Sequence, residues 1–168
     1  MIKTDVVIDP SGKAYTFEYD TELQPIISFS GQYSYLSNFH TGNPTMISDM
    51  VIKTVEHEYQ SAKCLNPSEY FSIIEADTPG KAKRIGSKVL LRPDWNLVKV
   101  KIMYNSLKRK FFQNPQLAYR LKSTGKKLLV EGNYWHDNFW GSCTCLKCSN
   151  KEKSNFLGKL LMVIREEL

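Results

Sequence analysis

Apolar residues recur at helical spacing through the second half of the chain. Val100, Met103, Tyr104, Leu107 and Phe111 advance by three or four, which predicts one long helix from Trp95 to about Gln113, capped by Asp94. The closing stretch "NFLGKLLMVIREEL" predicts an amphipathic helix with Leu157, Leu160, Leu161, Ile164 and Leu168 on one side. Three further helix starts share one device, in Asn66-Pro67, Thr78-Pro79 and Asn114-Pro115. The first residue accepts a free backbone N–H, and the proline at the first helical position loses no intrahelical bond. Glu69 follows Asn66 by three, as in a capping box, and Gly125 is expected to end the Asn114 helix in the left-handed conformation. Earlier residues look extended. "VVIDPSGKAYTFEYD" is two β-rich runs around an Asp-Pro-Ser-Gly turn, a hairpin within residues 1–27. "IISFSG", "MVIK" and "KKLLVEG" read as short strands, and "QYSYLSNFHTGNPTMISD" and "NYWHDNFWGSCTCLKCSNKEKSN" as loops. The expected architecture is one α-rich domain over residues 1–168 with a small β element at its N-terminal side.

Composition narrows the partners. A chain of 168 residues, 42% hydrophobic, buries a sizeable core. No apolar run is long enough to span a bilayer and the first residues lack a signal-peptide core, so a soluble, cytoplasmic protein is expected. A net charge of +6 suits an anionic partner such as nucleic acid, a nucleotide or a phosphorylated metabolite, and equally a mildly basic domain with none.

The stretch "TVEHEYQSAK" starts like a zinc-protease helix, but the second histidine of that motif would fall on Ser61, which cannot replace an imidazole. On a helix capped by Thr54, Val55, Tyr59 and Ala62 form an apolar stripe, and Glu56, Gln60 and Lys63 form a neighbouring polar edge. That edge is either solvated or one side of a site. In "NYWHDNFWGS", Trp135, Phe139 and Trp140 surround His136, Asp137 and Asn138; the loop either takes a ring-shaped ligand or is anchored by its aromatics. "CTCLKC" offers the three thiols of Cys143, Cys145 and Cys148 to a structural zinc, which wants four ligands; Cys64, His136 and His57 are candidates for the fourth. Reduced thiols in a tight loop are the alternative. Around "PGKAKRIGSK", Lys81, Lys83, Arg84 and Lys88 make either a phosphate-binding helix start or a solvated basic face.

Six stretches in one order resemble the NADAR (YbiA-like) family: "FSGQYSYLSNF", "VEHEYQSAK", "ADTPGKAKRIG", "RPDWNLVKVKIMYNSLKRKFFQNPQL", "LLVEGNYWHDNFWG" and "NFLGKLLMVIRE". The resemblance implies a compact, mainly α domain of the YbiA-like orthogonal helical kind, and an N-glycosidase acting on a bond between a nitrogen and ribose C1′. It implies one of two substrate classes: ADP-ribose carried on guanine in nucleic acid, or a phosphorylated riboflavin intermediate. On that resemblance Glu56 and Asp137 are the catalytic carboxylates, one stabilising the oxocarbenium-like charge or activating water. Tyr35, Ser37, Asn38, Phe39, Gln60, Arg92, Trp95, Trp140, Gly141 and Asn155 then line the substrate. No cofactor is needed for this chemistry. Lys63, two turns from Glu56, offers a second route, a Schiff base with ring-opened ribose; its other roles would be to bind phosphate or pair with Glu56. A non-catalytic ADP-ribose reader and a zinc-stapled nucleic-acid module stand as the alternatives outside hydrolysis.

Overall fold

The computed structural model describes all 168 residues as a mainly α chain with small β elements. No helix is long and apolar enough to cross a membrane. The chain divides into two compact units, one of Met1–Ile8, Gly12–Ser37 and Gln116–Leu168, the other of Asp9–Ser11 and Asn38–Pro115.

In the first unit, β1 (Ile2–Ile8) and β2 (Ala14–Asp20) pair antiparallel, Ile2 opposite Asp20 and Ile8 opposite Ala14. Alternation buries Val7, Tyr15 and Phe17. β2 packs against α6 (Phe156–Glu167). This last helix departs from the one-sided stripe: every residue from Leu157 to Arg165 except Lys159 is buried. A buried arginine needs several acceptors. Arg165 donates to Thr124 Oγ1 (3.0 Å) and to the carbonyls of Lys127 (2.8 Å) and Glu18 (3.0 Å). α5 (Pro115–Lys122) leads to Gly125, whose φ of 58° is the expected left-handed position.

Of the expected strands at "IISFSG" and "KKLLVEG" there remain one bridge between Ile26 and Leu129 and, at the end of the second, Gly132. The following loop instead holds β5 (Gly132–Asn133) and β6 (Ser142–Cys143), paired parallel, and a 3-10 turn at Leu146–Cys148. Ladders of two residues carry no alternation to read. The stretch after Ser30 is likewise not all loop: a 3-10 turn covers Gly31–Leu36.

In the second unit, β3 (Thr45–Ile47) pairs with β4 (Met50–Ile52) around Ser48, held at φ 51°. Four helices follow: α1 (Val55–Ser61), α2 (Pro67–Ile74), α3 (Pro79–Gly86) and α4 (Trp95–Gln113). Thr54, Asn66 and Thr78 cap the first three as expected. Asp94 does not cap α4 with its side chain; it accepts from Arg92 Nε (2.6 Å) and Nη2 (3.0 Å) instead. α1 packs against α2, α3 and α4 and is enclosed by them.

The stripe of α4 buries Val100, Met103, Leu107 and Phe111 completely, and the same helix buries Lys110. Burial lowers the Lys110 ammonium to about 7. The unfolded chain therefore binds more protons between about pH 7 and the ordinary lysine value of 10.5, and stability rises with pH across that window. Lys110→Met is expected to be more stable than the wild type near pH 7 and to lose that rise, which is at most about 1.4 kcal/mol per pH unit. Urea unfolding at pH 7 and pH 10 measures both; equal pH slopes would contradict the reading.

Candidate functional site

Three side chains of α1 differ from the solvated edge that spacing allows. Glu56 is 5% exposed and Gln60 4%, while His57 is fully buried. Gln60 Nε2 donates to Glu56 Oε1 at 2.7 Å, and the Glu56 backbone N–H donates to the Asn38 carbonyl at 3.1 Å. The other Gln60 amide atom, Oε1, is buried without a hydrogen-bond partner and faces Gly86. A Cβ at Gly86 would overlap Gln60, with the two Cβ atoms at 2.8 Å, so glycine here lets α3 approach the carboxylate's partner. Burying a carboxylate is costly unless it is hydrogen-bonded, and α1 supplies that bond one turn along.

Lys63 lies just past α1 on the same edge, half-buried, with its ammonium 5.6 Å from the Tyr59 ring centre and 5.8 Å from that of Trp95. Burial holds its pKa below the ordinary lysine range; the Glu56 charge opposes that shift and the Lys83 charge adds to it. Trp95 is 7% exposed and packs on Tyr59 at 5.1 Å between ring centres. Around this group the unit places the other residues singled out from the sequence. The Arg92 backbone N–H donates to the Lys63 carbonyl at 3.0 Å. Asn38 Nδ2 donates to Met103 Sδ at 3.4 Å, and its Oδ1 is buried without a hydrogen-bond partner. Phe39 is exposed, with Lys83 5.6 Å from its ring centre. Of the basic residues at α3, Lys81 pairs with Asp77 at 2.8 Å, which makes it a surface ion pair.

His57 is structural. Its Nε2 donates to the Ala76 carbonyl at 3.0 Å and its Nδ1 accepts from Thr54 Oγ1 at 2.8 Å, the neutral form with both nitrogens used. Cys64 packs against Ile73, Ala76 and Ala82. Glu58, the second acid of the opening motif, pairs with Arg109.

In the first unit the loop residues hold one another. Asp137 Oδ1 accepts the backbone N–H groups of Phe139 (3.1 Å) and Trp140 (2.9 Å). Trp140 meets Phe139 edge-on at 4.9 Å, and Phe139 stacks on Phe156 at 4.7 Å. A Cβ at Gly141 would overlap the Glu131 carbonyl. Asn155, left-handed at φ 48°, accepts from the Glu131 N–H (3.0 Å) and donates to the Leu129 carbonyl (2.9 Å). Tyr35 is buried, its hydroxyl donating to the Arg120 carbonyl at 3.0 Å. Ser37 is half-buried at the end of the 3-10 turn. The thiols of Cys143, Cys145 and Cys148 gather beside His136.

One residue of this unit was not singled out from sequence. Glu131 has a buried Oε2 without a hydrogen-bond partner, and burial, with the Asp137 charge second, raises its pKa to about 7. A carboxyl that stays protonated near neutrality is in the state a general acid requires. The signal available was an acid directly before the "GNYWHD" loop. Since the ordinary value is 4.5, the folded state binds more protons between about pH 4.5 and about pH 7, and stability falls as pH rises through that window. Glu131→Gln is expected to remove this fall. Denaturant midpoints at pH 5 and pH 8 measure it; an equal loss in both proteins would contradict the assignment.

Fold and site together define a mainly α protein in which one short, enclosed helix holds a buried carboxylate beside a partly desolvated lysine. The profile of the NADAR domain matches residues 23–168, and the chain belongs to that family. A Nostoc punctiforme protein named as an N-glycosidase is 40% identical over 142 residues, covering 81% of this chain and 86% of that one. A chloroplastic Zea mays protein named for riboflavin biosynthesis is 34% identical over 172 residues, which covers 89% of this chain and 27% of that one. The NMR structure of the E. coli protein YbiA superposes with a TM-score of 0.73 at 31% identity, covering 86% of each chain.

Proposed function

We propose that this protein is an N-glycosidase that cleaves the bond between a base nitrogen and ribose C1′, releasing ADP-ribose from ADP-ribosylated guanine in nucleic acid. The observation that carries the reading is the Glu56 carboxylate, 5% exposed and held by Gln60 at 2.7 Å, in a chain of this family. As the C1′–N bond breaks, its electron pair goes to the base nitrogen, which takes up a proton from solvent, and positive charge develops on the ribose. A fixed carboxylate in a water-poor setting stabilises that charge and then takes the proton of the water that attacks C1′. Asp137, the second acid implied by the family resemblance, has Oδ1 engaged by its own loop, so the reading rests on Glu56.

One observation favours the nucleic-acid substrate. The net charge is +6, which suits a phosphodiester backbone. The N-glycosidase relative matches over most of its own length and the riboflavin relative over 27% of its length, and neither name states a nucleic acid. The riboflavin name nonetheless makes a phosphorylated pathway intermediate the second reading. Parallel assays on ADP-ribosylated oligonucleotides and on that intermediate separate them, because leaving groups are discriminated by differential transition-state binding. A higher kcat/KM on the intermediate would replace the first reading with the second. Tight ADP-ribose binding with turnover of neither would make the protein a reader.

Lys63 gives the reading a covalent variant. A lysine with a lowered pKa attacks the aldehyde carbon of ring-opened ribose, losing water to form a Schiff base. Borohydride added during turnover is expected to leave a ribose-linked adduct on Lys63. An unmodified Lys63 with normal turnover would confine it to orienting the anionic substrate.

A further inference from the structure

We propose that His136, Cys143, Cys145 and Cys148 form a closed structural zinc site, with His136 Nδ1 as the fourth ligand, that locks the aromatic loop of the first unit. Their four ligand atoms all lie within 4.8 Å of one another. His136 Nδ1 is 3.2 Å from Cys145 Sγ and 3.4 Å from Cys148 Sγ. In a tetrahedral zinc site with Zn–S of about 2.3 Å and Zn–N of about 2.0–2.1 Å, sulfurs stand about 3.8 Å apart and nitrogen about 3.6 Å from sulfur. The cluster is therefore already near the dimensions of the ion's coordination shell.

The backbone builds this convergence. β5 and β6 pair Asn133 with Cys143, and the Thr144 N–H donates to the Asn133 carbonyl at 2.8 Å. Asn133 Nδ2 donates to the Asp137 carbonyl at 2.7 Å, which turns the chain so that His136 faces the cysteines. His136 itself is left-handed at φ 68°, a conformation that residues other than glycine adopt uncommonly. The 3-10 turn at Leu146–Cys148 folds the last thiol back, with the Cys148 N–H on the Cys145 carbonyl at 3.0 Å. Cys143 and Cys148 are fully buried.

The competing ligands are otherwise engaged. Both ring nitrogens of His57 are hydrogen-bonded, and Cys64 sits in an apolar cluster. No disulfide joins any of the four cysteines. A pair of thiols would suffice for a disulfide, but three thiols and an imidazole whose ligand atoms all lie within 4.8 Å of one another are a complete donor set for zinc. Four protein ligands leave no open position, so the ion would be structural, not catalytic. It would fix the segment that carries Trp135, Asp137, Phe139 and Trp140, in a loop otherwise short of regular structure.

The test uses the full chain, purified under reducing conditions from zinc-supplemented cells and dialysed against metal-free buffer. About one zinc per chain is expected. Cys145→Ser and His136→Ala should each retain clearly less, and Cys64→Ser should retain the wild-type amount. Cobalt substitution should give thiolate charge-transfer bands and the intense visible bands of a tetrahedral site, altered by His136→Ala. In the zinc-loaded protein, alkylation of Cys143, Cys145 and Cys148 should be slow until a chelator is added. Less than a few tenths of an equivalent of zinc, or loop thiols alkylated at the same rate before and after chelation, would overturn the site. A cobalt spectrum unchanged in His136→Ala would overturn the fourth ligand.

Discussion

Glu56→Gln is expected to lower turnover by about a hundredfold or more while leaving the fold intact. The substitution keeps the shape of the side chain and keeps an oxygen to accept the 2.7 Å bond from Gln60 Nε2. What it removes is the negative charge. At 5% exposure that charge is poorly screened by water, so its effect on a developing oxocarbenium ion is larger than at the surface. A hundredfold loss corresponds to about 2.7 kcal/mol of transition-state stabilisation. Matched thermal unfolding of the two proteins shows that the loss is chemical. Activity within about threefold of wild type, a barrier change of under about 0.7 kcal/mol, would remove Glu56 from the mechanism.

The second large effect concerns the neighbour of that residue. His57→Ala is expected to cost about 3 kcal/mol of stability, because it opens a cavity and leaves Thr54 and the Ala76 carbonyl without their buried partner. For a chain of this size that is a fall in Tm of about 6–12 °C. His57 also carries a pH signature. Burial, then the Lys53 charge, holds the ring below the ordinary value of 6.5, against the bond to Ala76. The unfolded chain thus binds the extra proton first, and stability is full above about pH 6.5 and lost as pH falls below it. The variant should lack that acid loss, and folded His57→Ala should turn over at a near-normal rate. A melting temperature unchanged from wild type would show that the two bonds hold nothing.

Much of the helical frame is legible in the sequence because its signals are local. Proline after a capping residue marks the starts of α2 and α3, and the stripe from Val100 to Phe111 marks α4, which runs Trp95–Gln113 as expected. The β1–β2 hairpin is legible from its turn. The short ladders at 45–52 and 132–143 are less so: only Met50–Ile52 reads as a strand, since ladders of two or three residues carry too little alternation to read. The site divides in the same way. Helical spacing puts Glu56, Gln60 and Lys63 on one edge, but their burial depends on three other helices closing over α1, and no local pattern encodes that. Glu131 escaped notice because its raised pKa comes from enclosure. For the fourth ligand, spacing left three candidates, and what brings His136 beside the cysteines, its left-handed backbone and the β5–β6 pairing, is not a local pattern.

The central claim is that Glu56 supports cleavage of a base–ribose bond. The most direct measurement is incubation of the wild-type chain and Glu56→Gln with an oligonucleotide carrying ADP-ribosylated guanine, with products read by mass. The account predicts unmodified oligonucleotide and free ADP-ribose from the wild type, and intact substrate from the variant. Intact substrate from both, or equal release by both, would contradict it.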